Sequence, residues 1–301
     1  MLPLVYNPRA GGGHGRARME EAARALAKRG IATRPVATEG PAGASGIVER
    51  LAREDGERHV LVVGGDGTHS EAADGALRSG ADVAIGLLPG GTGNDLLLDL
   101  GLTSVQLASE RIADALRGGA SGGRRIDVGL VEWPGGRRHF IGVFGTGFMA
   151  KVASLADRRL KWLGSRAYTV AVFPELARLR SPRTRLVFDG GARVVDEPLA
   201  LVAVCNGPHM GGGMHVAPMA RLDDGKLEIV ALREVGRVGL LRLFPKIFDG
   251  THVGEERVLI ERATSIEIAP ERASPLLADG EIFGSTPATV RVLPRALHVL
   301  S

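Results

Sequence analysis

The 301-residue chain is predicted to fold as two domains, a parallel α/β sheet with helices on both faces followed by a mostly antiparallel β domain. Three observations carry this. Apolar strand patterns alternate with helical ones up to about residue 123, glycine-rich turns follow successive strands, and short strand patterns dominate from Thr184 onward. Residues 1–123 make up the expected first domain and 124–301 the second, with the last strand near 290–301 open to returning to the first.

Taken in order, Leu2–Tyr6 reads as an apolar strand. Arg16–Arg29 carries Met19, Ala22, Ala23 and Leu26 at helical spacing, and Gly30 marks its stop. Ile31–Ala37 is a second strand, Ile47–Arg53 a helix, and His59–Val63 a buried strand running into Gly64-Gly65-Asp66-Gly67-Thr68. Glu71–Leu77 is helical, and Val83–Leu88 is a strand that runs into Pro89-Gly90-Gly91-Thr92-Gly93-Asn94-Asp95. Right-handed crossovers then put every post-strand loop on one edge. Past 118–123 the pattern changes. Arg124–Glu132 and His139–Gly145 read as a strand pair about Pro134-Gly135-Gly136, Phe148 to about Leu179 as helical, and Thr184–Phe188, Pro198–Asn206, Leu227–Leu232, Arg257–Ile260, Ser265–Ala269 and Thr289–Leu293 as short strands.

Composition narrows the function. Hydrophobic residues at 44% and charged residues at 24% give an ordinary globular balance. Lys and Arg number 38 against 34 Asp and Glu, a net charge of +4 that is too small to argue for nucleic acid. Cys205 is the single cysteine, which excludes an intrachain disulfide and a four-cysteine zinc site and fits a reducing, cytoplasmic compartment. No signal-peptide pattern opens the chain. The longest uncharged run, Leu199–Ala220, is broken by Asn206, Pro208, several glycines and two histidines, so no transmembrane segment is expected.

The chemistry sits in the glycine loops. Glycines let backbone N–H groups approach an anion, and a following helix N-terminus favours phosphate. Asp66 is the odd member, since a carboxylate repels phosphate unless it holds a cation or takes a proton. A capped glycine turn is the plainer reading of Gly64–Thr68 alone. The second loop, Pro89–Asp95, and a third, Asn7-Pro8-Arg9-Ala10-Gly11-Gly12-Gly13, would share its edge, where open α/β sheets bind ligands. Three such loops point to a nucleotide or polyphosphate. A P-loop is excluded by the absence of its Gly-Lys-[Ser/Thr] ending. Gly145-Thr146-Gly147-Phe148-Met149-Ala150 fits a loose dinucleotide fingerprint, but no following βαβ unit supports a nicotinamide site.

Together these loops resemble the catalytic domain of diacylglycerol, sphingosine and ceramide kinases, with an NAD kinase/phosphofructokinase-like first domain. Asn206, Gly211-Gly212-Gly213, Ala217-Pro218 and Asp223-Asp224-Gly225-Lys226-Leu227 resemble that family's second-domain signature, and Ala278-Asp279-Gly280-Glu281 its late Asp-Gly-Glu motif. The resemblance spans nearly the whole chain, and bacterial soluble diacylglycerol kinases match it in length. It implies an ATP-dependent lipid kinase whose most expected acceptor is diacylglycerol, with phosphatidylglycerol or a sphingoid base as alternatives.

Residue by residue, the resemblance implies an ATP site lined by Asn7, Pro8, Gly11, Thr38, Gly64, Gly65, Asp66, Gly67, Thr68, Glu71, Gly91 and Thr92, with Asn94 and Asp95 shaping the crevice. It implies Glu281 as general base, with Asp66 and Asp279 organising charge or metal. Asp224 with the carbonyls of Arg221 and Lys226 is the implied Mg²⁺ set, although Asp223-Asp224-Gly225 also reads as a hairpin turn. His69 and Ser70 depart from the family, which has a small apolar residue and Asn there. Peripheral contact with a membrane during turnover is expected, and monomer and homodimer are left open. Phe148, Met149, Trp162, Leu163, Phe173, Met210 and Met214 are candidates for a lipid route, with plain core as the bland reading of each. A soluble-acceptor kinase of the NAD kinase type and a non-catalytic nucleotide sensor are the competing functions.

Overall fold

The computed structural model describes residues 1–40, 43–91, 93–118, 122–159 and 167–301. The chain divides into one unit of Met1–Val128 with Pro294–Ser301 and another of Gly129–Leu293.

The first unit alternates strand and helix: β1 (Leu2–Tyr6), α1 (Ala10–Gly13), α2 (Gly15–Ala27), β2 (Thr33–Ala37), α3 (Gly43–Arg53), β3 (His59–Gly64), α4 (Asp66–Ser79), β4 (Ala84–Pro89), α5 (Asp95–Asp99) and α6 (Val105–Arg117). The strands run parallel in the order β4-β3-β1-β2. Tyr6 is level with Val63 and Ala37, and Val63 with Leu88, so the loops after all four strands leave the same edge. Val60, Leu61, Val62 and Val63 are all buried, as a strand covered on both faces requires. Helix α2 packs with α6 and α3 with α4, giving two helical layers. Helix α6 was absent from the predicted elements. Its signals are Ser104, whose side chain accepts from Leu107 N at 3.2 Å, and the buried row Val105, Ala108 and Ile112.

The second unit is mostly antiparallel: β5 (Arg124–Trp133, entering from the first unit), β6 (Gly136–Phe140), β7 (Val143–Gly147), α7 (Phe148–Arg159), α8 (Ala167–Ala177), β8 (Arg183–Phe188), β9 (Arg193–Cys205), β10 (His209–Met210), β11 (Met214–His215), β12 (Leu227–Arg233), α9 (Arg237–Leu243), β13 (Val258–Ala263), β14 (Ser265–Pro270), β15 (Pro275–Ala278), β16 (Glu281–Ser285) and β17 (Ala288–Val299). The far end of β17 lies in the first unit, where His298 and Val299 pair in parallel with Ala84 and Ile85. Strand β9 joins two sheets. Arg193–Pro198 pairs with β8, while Leu201–Cys205 pairs with β7 and β12. Phe140, Phe144, Leu186, Val202, Ile229, Ile268, Leu276 and Val290 form the buried core of this sandwich.

The predicted strand His139–Gly145 is two strands. Beyond Phe140 the backbone N–H groups of Ile141 and Gly142 go to the Asp279 carboxylate rather than to a ladder, and β7 joins a different sheet from β6. The glycines of the loose dinucleotide fingerprint have packing roles. A Cβ on Gly145 would lie 2.4 Å from Met149 Sδ, and one on Gly147 2.5 Å from Ala200 O. No helix among the described residues is long and apolar enough to cross a membrane.

Candidate active site

In the first unit the loops after β3 and β4 lie against each other. Gly90 N donates to Gly64 O at 2.7 Å, and a Cβ on Gly91 would fall 2.4 Å from Gly65 Cα. Only glycine permits that approach. The Thr68 side chain folds back over Gly64, where a Cβ would meet it at 2.4 Å. Helix α4 starts at Asp66 with Gly65 as its cap, leaving its first N–H groups at the loop.

Asp66 ties the loops together. Its Oδ2 accepts from Asn94 N at 2.8 Å. Asn94, left-handed at φ 59°, holds Gly91 from both sides: Oδ1 accepts from Gly91 N at 3.2 Å and Nδ2 donates to Gly91 O at 3.0 Å. Asp66 Oδ1 is buried and accepts no hydrogen bond. Burial, and then the neighbouring Asp95, raise the Asp66 carboxyl above the usual carboxylate range, against the lowering effect of backbone N–H bonds from Asn94 and Asp95. A buried carboxylate oxygen with no donor suits a cation, so this residue fits a nucleotide-associated Mg²⁺.

The remaining predicted nucleotide residues lie along the same sheet edge. Asn7 closes the loop after β1, its Oδ1 accepting from Arg9 N at 2.9 Å, with Pro8 between them and Gly11 in the single turn of α1. Gly15 is obligatory there, since its Cβ would lie 1.9 Å from Asn7 O. Thr38 follows β2, its N–H donating to Tyr6 O at 2.9 Å. Glu71 Oε2 accepts from Ala44 N at 3.0 Å, occupying a free donor at the start of α3. Thr92 lies outside the described residues.

In the second unit, Asp279-Gly280 is the two-residue turn between β15 and β16, with φ of 46° and 87°. The Asp279 carboxylate turns back and accepts from Ile141 N (2.9 Å), Gly142 N (2.9 Å) and Val143 N (3.1 Å). That arrangement anchors the hairpin and aims the next residue. Glu281 is exposed and ion-paired through Oε2 to Arg138 Nη2 at 2.5 Å, and the Arg138 guanidinium lies over the Phe283 ring at 5.2 Å. Asp224 Oδ1 accepts from Lys226 N at 3.0 Å and its Oδ2 pairs with Arg262. Arg262 Nε also lies 3.2 Å from Glu228 Oε2, without the alignment of a hydrogen bond. Burial raises the Glu228 carboxyl. The predicted set of Arg221, Asp224 and Lys226 is thus an oxygen-bearing turn with one guanidinium already on it, and no group of three or more His, Cys, Asp or Glu suited to a metal occurs among the described residues.

Residues 1–131 match the diacylglycerol kinase catalytic domain, and residues 142–301 match the YegS C-terminal NAD kinase beta sandwich-like domain. A diacylglycerol kinase of Mycobacterium tuberculosis is 35% identical over 243 residues, covering 80% of this chain and 76% of the relative. The chain belongs to the diacylglycerol kinase family. It is an enzyme of the lipid kinase class. A diacylglycerol kinase of Staphylococcus carnosus is 28% identical over 297 residues, 98% of this chain and 93% of that one. In fold, the kinase is similar to a crystal structure of a diacylglycerol kinase from Bacillus anthracis, with TM-score 0.72, 21% identity and coverage of 99% and 96%.

Two features of this kinase escaped the sequence. Arg138 stands 143 residues from Glu281, and nothing in the sequence pairs them. His69, on α4, is fully buried, its Nε2 3.2 Å from Leu88 O, so that nitrogen carries the hydrogen and Nδ1 is left bare. Burial pulls the imidazole down to about 4 despite that bond. Among the lipid-route candidates, Phe148, Met149 and Met210 pack on the second unit's core, Phe173 is exposed, and Trp162 and Leu163 lie outside the described residues. A cavity of about 410 Å³ in the second unit is lined by Lys151, Arg180, Arg183 and Arg272, and none of the predicted site residues borders it.

Proposed function

We propose that the kinase transfers the γ-phosphoryl group of ATP to the free hydroxyl of diacylglycerol, giving phosphatidic acid and ADP. The supporting observation is the clasp between Asp66 and Asn94, which holds two glycine loops in contact at a sheet edge and leaves Asp66 Oδ1 without a hydrogen bond. Backbone N–H groups of the glycine loops and of the start of α4 hold the phosphates, and Asp66 holds the accompanying cation. A Mg²⁺ held by Asp66 would supply charge neutralisation during the transfer. Such transfer depends on positioning more than on covalent help.

Glu281 is the general base: it takes the hydroxyl proton as the acceptor oxygen bonds to the γ-phosphorus and the bond to the β-phosphate oxygen breaks. A positioned base contributes about 10²–10⁴-fold. Arg138 orients that carboxylate, and Asp279 fixes the hairpin that carries it. Asp224, with the carbonyls of Arg221 and Lys226, is proposed to hold a second, structural Mg²⁺ in competition with Arg262. Thin-layer separation of radiolabelled products from diacylglycerol, phosphatidylglycerol, a sphingoid base and NAD tests the reading. Phosphatidic acid as the dominant product is expected, and label found only in a soluble product would overturn it.

A further inference from the structure

Residues 237–248 read Arg-Val-Gly-Leu-Leu-Arg-Leu-Phe-Pro-Lys-Ile-Phe, with three cations and not one carboxylate. They form α9 and the short 3-10 turn Phe244–Ile247. Leu240 and Leu243 face inward and join the core around Val230 and Leu232. Helical spacing carries Val238, Leu241, Phe244 and Phe248 to the other side, where they are 45–62% exposed. A surface helix ordinarily turns a polar face outward, and a contiguous apolar face in water marks an interaction site. The Phe244 and Phe248 rings pack edge to face at 5.7 Å. Arg237 Nη2 donates to Ala177 O at 2.5 Å, which places α9 against the end of α8, whose Phe173 is also exposed.

The charges say what covers this face. Arg242 makes no hydrogen bond or ion pair among the described residues, Arg237 reaches only a carbonyl, and Lys246 alone has a carboxylate partner, Glu255. A second copy docked about a twofold axis would bring these cations onto their own images. An apolar stripe flanked by cations is instead the composition of a segment lying in the interface of an anionic bilayer.

We propose that α9 and the turn after it dock the protein on anionic phospholipid membranes, with Val238, Leu241, Phe244 and Phe248 entering the headgroup boundary and Arg242 contacting phosphates. The purpose of docking rests on the lipid kinase reading, because the acceptor resides in the bilayer; the binding itself requires no turnover.

The test is flotation of the full chain, without nucleotide, on vesicles of phosphatidylcholine alone and of an equal mixture with phosphatidylglycerol. Wild type should float with the mixed vesicles and far less with the neutral ones. The double variant Leu241→Ser/Phe248→Ser should lose about tenfold in partition, and Arg242→Glu more than about fivefold. Unchanged circular dichroism and melting would show that both variants fold. In a kinase assay both variants should match wild type on short-chain diacylglycerol dispersed in detergent and fall behind on vesicle-borne diacylglycerol. Variants that float as wild type does would overturn the proposal. So would variants that convert a dimer to a monomer with flotation unchanged, which would make this face a subunit contact. Absence of turnover on every lipid would count against the kinase reading while leaving the flotation comparison intact.

Discussion

Asn94 donates its backbone N–H to Asp66 Oδ2 at 2.8 Å across 28 residues of sequence. This bond joins the loop after β4 to the first residue of α4, and the left-handed backbone of Asn94 lets its side chain hold Gly91 as well. One carboxylate thereby sets the spacing of two glycine loops, and its second oxygen accepts no hydrogen bond.

Asp66→Asn is expected to abolish turnover while leaving the fold intact. The amide can still accept from Asn94 N, but it loses the charge that a cation requires. Initial rates on diacylglycerol and a circular dichroism spectrum check this; near-full activity would remove Asp66 from the mechanism.

Gly91→Ala places a methyl group 2.4 Å from Gly65 Cα, a backbone atom that cannot swing away. Overpacking of this kind costs about 1–3 kcal/mol and moves the loops apart. The expected result is a lower melting temperature together with a weaker KM for ATP. A variant with wild-type stability and KM would show the contact to be slack.

Glu281→Gln should reduce kcat by at least about 10²-fold with little change in ATP binding, since it removes a base and not a phosphate ligand. Arg138→Met should give a smaller loss of kcat with ATP binding kept, because it releases the carboxylate from the guanidinium that orients it. Equal and complete losses of ATP binding in both would point to misfolding of the hairpin instead.

The buried His69 predicts an acid-side loss of stability. Its folded pKa of about 4 lies below the ordinary 6.5, so the unfolded chain binds a proton in that window that the folded chain refuses. The stabilising effect is therefore fully present above pH 6.5 and is lost as pH falls toward 4, on the order of 3 kcal/mol in all. His69→Gln keeps a donor for Leu88 O and cannot titrate. Its melting temperature should fall less steeply than that of wild type between pH 7 and 5, and identical slopes would exclude His69 as a source.

Asp279→Ala strips the acceptor from three backbone N–H groups at 141–143. A destabilisation of about 3 kcal/mol is expected, given typical costs for charged hydrogen bonds and orphaned donors. Denaturant melts measure it, and an unaffected midpoint would mean that water replaces the carboxylate without penalty.

Local pattern was enough for much of this protein. The apolar runs at β1, β3 and β4, each followed by a glycine-rich loop, announced a parallel sheet with those loops on one edge, because strand burial and close backbone approach both leave marks in nearby residues. Asp279-Gly280 announced a turn for the same reason. The split of His139–Gly145 into two strands was hidden, since its cause is a carboxylate nearly 140 residues away. Helix α9 was also missed: a segment apolar on two faces loses the one-sided periodicity by which a surface helix is recognised.

Sequence by itself determined the strand-and-loop order, the glycine positions and membership of a lipid kinase family, since these depend on residue type and near neighbours. Tertiary structure alone decided that Asp66 clasps Asn94, that Arg138 meets Glu281, that His69 is sealed from water and that Phe244 and Phe248 stay outside. Each depends on which distant segments the packing brings together or leaves uncovered, and no local pattern encodes that.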